Sequence, residues 1–230
     1  MNKSILSAAA LLFLSGNSLA ATENWEGFYT GANIGYGWGQ NQDVGNSDAF
    51  KQNIDGMTGG IQAGHNWQLD NNIVLGVELG LSANGLTGDW KDRDNNQYSP
   101  YYGEDKINQS GSLNFKVGYA IDKFLPYVTA GVTVANTEHS LGCNKSLVSE
   151  TTGCKTAEFN TSTSDIRAGA NVGVGVMYKF NENLSGGIEY MYTNLGSSSV
   201  ALSDPNYPEA TERNMKTDYS TVTARLNYHF

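Results

Sequence analysis

Apolar and polar positions alternate with a period of two in eight stretches of this chain. The last of them runs to the C-terminus as STVTARLNYHF, with Val222, Ala224, Leu226 and Tyr228 apolar and Thr221, Thr223, Arg225 and Asn227 between them. The others are 28–38, 57–69, 73–83, 107–119, 126–134, 166–180 and 184–192. In 166–180, Ala168, Ala170, Val172, Val174, Val176 and Tyr178 share one face, opposite Arg167, Gly169, Asn171, Gly173 and Lys179. In 107–119, Leu113, Phe115, Val117 and Tyr119 oppose Asn108, Ser112, Asn114 and Lys116. A period of two predicts strands, and helical spacing is absent.

The connections alternate too. Those at 70–72, 121–124 and 181–183 are short, and those near 40–56, 85–106, 135–163 and 195–217 are long. Tight turns at one end and long loops at the other are the signature of an outer-membrane barrel. The prediction is an all-β, eight-stranded antiparallel transmembrane β-barrel with short periplasmic turns and four long extracellular loops. Trp25, Phe28, Trp67, Tyr119, Tyr178, Phe180, Tyr228 and Phe230 would gather at the periplasmic rim, and Trp38, Tyr190 and Tyr192 at the outer rim. Aromatic rings favour the headgroup level, where one end stays apolar and the other is wet. A soluble sandwich or lipocalin-like barrel alternates as well. The Gly, Ser, Thr, Asn and Gln that fill the second face make a poor solvent coat, which favours the membrane.

The front of the chain agrees. Lys3, the apolar run ILSAAALLFL and Ser18-Leu19-Ala20 have the order of a secretory signal. We therefore expect a signal peptide over 1–20 and a barrel domain over 21–230, placed in the bacterial outer membrane. Charged residues are 16 % of the chain, with 27 Gly and 13 Tyr, and the net charge is −9. That acidity argues against nucleic acid, whose phosphates need a basic face.

Candidate chemistry is sparse. Glu78, Lys116, Arg167, Glu189 and Arg225 fall on the inward face. They line an ion path or gate, or they form a structural salt-bridge network. Eight strands enclose only enough room for side chains, which favours the network and disfavours a wide pore. Cys143 and Cys154 lie in the third long loop. An oxidising compartment favours a bridge between them over a free or intermolecular pair. His139 lies in the same loop and is a candidate haem ligand, against the plainer reading of an exposed loop residue. No metal-binding spacing is present. A catalytic pair of His139 with Ser140 is the nearest approach to an enzyme, and no enzymatic activity is expected.

The stretches WEGFYTGANIGYGWG (25–39), GGIQAGHNWQ (59–68), LPYVTAGV (125–132), GIEYMYTNLG (187–196) and RLNYHF (225–230) resemble the small outer-membrane barrels of the opacity type. The similarity extends over 21–230 and leans toward alphaproteobacterial immunogenic outer-membrane proteins, a group with haemin-binding members. The resemblance implies a role in envelope integrity, surface antigenicity, adhesion or haemin binding; no cofactor is expected, and haemin, with His139 as its candidate ligand, is the one alternative. Its rivals are a narrow porin-like channel and a lipid-modifying enzyme. The partners it implies are outer-membrane lipid, lipopolysaccharide, a host surface and the outer-membrane assembly machinery, which would read Tyr228 and Phe230. Where the family often has Glu-Tyr-Arg, this chain has Glu189-Tyr190-Met191, removing one inward arginine.

Overall fold

The computed structural model describes residues 23–43, 51–91, 101–143, 158–201 and 212–230. Eight antiparallel strands close into one barrel in sequence order: β1 (Gly27–Asp43), β2 (Lys51–Gln68), β3 (Ile73–Lys91), β4 (Tyr101–Tyr119), β5 (Phe124–Cys143), β6 (Phe159–Asn181), β7 (Leu184–Ala201) and β8 (Glu212–His229). β8 pairs with β1 from Tyr29↔His229 to Asp43↔Met215, so no sheet edge is left open. Phe230 extends the seam by donating its backbone N–H to the Phe28 carbonyl at 3.0 Å. Closure is required because an unpaired backbone group in hydrocarbon finds no water to bond.

The alternation places apolar side chains outward and polar ones inward. Val128, Val132 and Val134 of β5 are exposed to the lipid side, whereas Thr129, Thr133 and Thr137 are buried inside. On β2, Ile61 and Trp67 face out and Thr58, Gln62 and Asn66 face in. A soluble β-fold would have the reverse arrangement. The periplasmic turns are tight. Ile121 and Phe124 exchange backbone hydrogen bonds of 2.8 and 2.9 Å around Asp122 and Lys123. Asp122 and Asn72 take positive φ values of 51° and 65°, which Asp and Asn tolerate better than most side chains.

The strands are longer than the alternation predicts, almost entirely at their outer ends. β5 continues from 134 to Cys143, and β6 begins at Phe159 rather than 166. Above the lipid, the outward face need not be apolar, so the signal fades while backbone pairing continues. Three register shifts lie in this region: Ala83/Leu86 between β3 and β4, Ile107/Gln109 between β4 and β5, and Asn194/Ser197 between β7 and β8. Gly196 takes a φ of 68° in the last of them. The shift at Asn108 reverses the parity of β4. Ile107 is buried in the lumen, and Asn108, expected inside, donates instead to Glu138 on the outer surface at 3.3 Å.

Candidate functional site

The lumen is filled in layers. At the periplasmic mouth, Trp25 folds inward instead of joining the rim aromatics. It is 1 % exposed and packs with Val74, Ala120, Leu125, Tyr127 and Met177. Its backbone explains the turn inward: Trp25 N–H donates to Gln68 Oε1 at 2.7 Å, and Asn66 Nδ2 donates to the Trp25 carbonyl at 3.2 Å. Lys179 bonds the Asn24 carbonyl, and its ammonium lies 5.3 Å from the Trp25 ring centre. The indole meets the His229 ring edge-on at 5.9 Å.

Above this plug is a layer of four charges. Arg225 from β8 donates through Nη2 to Glu78 of β3 at 2.6 Å and through Nη1 to Glu189 of β7 at 2.5 Å. Lys116 from β4 bonds Glu78 at 2.6 Å and lies 4.0 Å from Glu189. Two tyrosines complete the layer. Tyr29 donates to Glu78 at 2.9 Å and Tyr127 to Glu189 at 2.7 Å. The Lys116 ammonium sits between their rings, 5.8 and 4.9 Å from the centres. Glu78, Glu189 and Arg225 are 2–6 % exposed. Two carboxylates against two cations leave the layer neutral, so each buried charge has the partners that burial demands.

Four of the five predicted interior charges are thus one network, and it closes without the arginine absent at Met191. Charge alone does not single out Tyr29 and Tyr127, although the alternation of their strands places both inward. Arg167 stands apart. It bonds Thr217 Oγ1 at 2.5 Å and the Met215 carbonyl, near the outer end of the lumen.

His139 does not sit in a loop. It belongs to β5, is 2 % exposed, and its Nδ1 bonds Asp105 Oδ1 of β4 at 2.7 Å. Its Nε2 has no hydrogen-bond partner. Ser140, the next residue, faces the outside and accepts from the Glu104 N–H at 3.0 Å. Neighbours in a strand point to opposite faces, so His139 and Ser140 do not form a catalytic pair. A serine–histidine contact does join Ser185 Oγ to His229 Nε2 at 2.8 Å. Ser185 is fully buried, and His229 Nδ1 has no partner to orient it, so this contact ties β7 to the closing strand. Cys143 ends β5 in a disulfide, and Cys154 lies outside the described residues, as does 1–20. Tyr228 and Phe230 lie side by side on the lipid face of the seam, with ring centres 5.3 Å apart.

Comparison with known proteins agrees with this architecture. The family model for the outer membrane protein beta-barrel domain matches residues 6–230. A 25 kDa outer-membrane immunogenic protein of Brucella abortus is 31 % identical over 214 residues, covering 92 % of this chain and 82 % of that one. A 31 kDa outer-membrane immunogenic protein of Brucella melitensis is 28 % identical over 163 residues, covering 70 % of this chain. The match spans only 61 % of that longer relative. Among solved structures, the outer membrane protein OprG from Pseudomonas aeruginosa superposes with a TM-score of 0.50 at 13 % identity, covering 89 % of this chain and 97 % of its own. It shares the fold. With a closed barrel, a lipid-facing apolar belt and a family match along nearly the whole chain, this protein belongs to the outer-membrane β-barrel family and resides in the bacterial outer membrane.

Proposed function

We propose that the protein is a sealed barrel that contributes to envelope integrity and presents four outer loops, as an antigen, to host or ligand. The observation that carries this reading is a filled lumen combined with strands that outrun the membrane. The strands are 17–23 residues long, whereas about 9–11 suffice to cross a bilayer. The surplus lies at the outer end and lifts the loop ends off the lipid. The immunogenic character stated for the Brucella relatives supports the antigen part of the reading.

In this reading, lipid and lipopolysaccharide contact the belt, the assembly machinery reads the closing strand, and host surface or haemin meets the loops. Nucleic acid is not a partner and catalysis plays no part. His139 would reach haemin iron only if the outer barrel end opened, because it is buried in a lumen filled by side chains. A narrow channel is the second reading, favoured by an interior cavity of ≈ 80 Å³.

The test uses the folded full-length barrel and the intact cell. Antibody raised against the loops should bind intact cells, and loss of the protein should sensitise them to detergent. The purified barrel should pass no current in a planar bilayer. Steady current would favour the channel, and loss without any envelope defect would remove the integrity role. A Soret shift on haemin titration, lost in His139→Ala, would establish haemin; a flat titration would reject it.

A further inference from the structure

Between the charge layer and the outer rim lies the cavity of ≈ 80 Å³, lined by hydroxyls and amides that include Thr58, Asn84, Ser110, Asn114, Asn171 and Thr193. That volume admits a few waters. Two side chains call for them. Asn114 and Asn171 stand on either side of Gly131 in the register. Their nitrogens donate to Ser112 at 3.3 Å and Thr133 at 2.7 Å, while both Oδ1 atoms are buried without a partner. A Cβ at Gly131 would collide with the Leu113 carbonyl oxygen and with Asn114 Oδ1, so only glycine fits between the two asparagines. A buried carbonyl oxygen left dry costs free energy, which makes the cavity a water chamber.

Glu78, Glu189 and Arg225 reach into the chamber and form its floor. Its ceiling is of a different kind. Ile54, Leu86, Ile107, Ala135, Leu195 and Tyr219 form a buried apolar cluster at the level of the outer rim. Tyr219 joins the two regions, since it belongs to the cluster and also lines the cavity with Thr193 and Ser110. Leu86 extends past β2, so that its methyl carbons lie 3.1 Å from where a Cβ on Gly37 of β1 would stand. Leu86, Ile107 and Leu195 each lie at one of the three register shifts above the lipid. Leu86 and Leu195 keep the inward parity of their strands, and the shift at Asn108 turns Ile107 inward beside them, so apolar side chains meet in an otherwise polar lumen. Beyond the cluster polar side chains return, with Asp105, His139, Arg167 and Thr217 buried there alongside Leu141, Cys143 and Met215.

An apolar layer between two polar compartments is the geometry of a constriction that closes by shedding water. We propose that this apolar layer is the stopper that separates the internal water chamber from the cell exterior. The proposal rests on the reading of the barrel as a sealed wall. The inner end is closed by ion pairs and the Trp25 plug, and the outer end by the apolar layer.

The test places a cysteine in the chamber, Thr223→Cys, in the full-length protein on intact cells, with unsubstituted protein as the background. A small cationic methanethiosulfonate reagent is added outside. The chamber cysteine should label slowly in the otherwise unchanged barrel, and at least ~10-fold faster after Leu86→Ala with Leu195→Ala. Leu86→Met, which keeps the volume, should stay slow. Leu195→Ala alone provides a milder opening should the double variant fold poorly, and it should also accelerate labelling. Equal labelling rates in the parent and truncated barrels, fast or slow, would overturn the stopper. A planar-bilayer trace on the unsubstituted protein separates the two ideas, since steady current there removes the sealed wall, whereas equal labelling without current removes only the stopper.

Discussion

Arg225 on β8 meets Glu78 on β3 at 2.6 Å across the lumen, although 147 residues separate them along the chain. The same guanidinium holds Glu189 on β7 at 2.5 Å, so one side chain ties three strands together. Arg225→Met should therefore leave two buried carboxylates sharing Lys116. The expected loss is about 3–5 kcal/mol, read as a lower urea midpoint of the barrel refolded in lipid. Adding Glu189→Gln should restore part of it. A double variant no more stable than the single one would show that the arginine acts by something other than charge balance.

Trp25 stabilises the periplasmic mouth by volume. Trp25→Ala should cost about 3–5 kcal/mol, because the plug around Leu125, Tyr127 and Met177 cannot collapse onto so large a gap. The same urea titration measures it. Replacing Trp67, which faces outward at 47 % exposure, should not open the lumen.

The closing seam has no space at Gly35. A Cβ there would collide with the Val222 carbonyl oxygen of β8. Gly35→Ala should therefore lower the yield of folded barrel. Gly59→Ala is the matched control, since its nearest neighbour, the Asn33 carbonyl oxygen, is 3.4 Å away. Equal refolding yields for the two variants would show that the seam can spread.

The last residue adds one hydrogen bond to the seam and a ring to the rim, with Phe230 77 % exposed. If the assembly machinery reads this terminus, deleting Phe230 should reduce the amount of barrel in the outer membrane. Deleting one outer-loop residue should not. Quantitative blotting of the outer-membrane fraction checks both.

The sequence by itself determined the strand number, the order of short and long connections, and which face of each strand meets lipid. It did so because a two-residue period maps directly onto the two faces of a strand, and lipid demands an apolar face without interruption. Val128, Ala130, Val132 and Val134 were legible for that reason. The same logic stopped at the membrane surface. The outer ends of β3, β4 and β5 carry Asp89, Glu104 and Glu138, so their pairing left no apolar trace. His139 and Cys143 consequently read as loop residues, although β5 contains both.

Tertiary structure decided the rest. Inward parity identified Glu78, Lys116, Arg167, Glu189 and Arg225 alike, yet only four of them meet. Which ones meet depends on the stagger between strands that are not neighbours, and no periodicity encodes that stagger. A single extra residue at Asn108 moved Ile107 from the expected outer face into the lumen. Trp25 carries the same residue type as the rim aromatics, and hydrogen bonds from its backbone to Gln68 and Asn66 turned it inside. Composition and period describe one strand at a time. The contents of the lumen are set by how eight strands are offset around a closed ring.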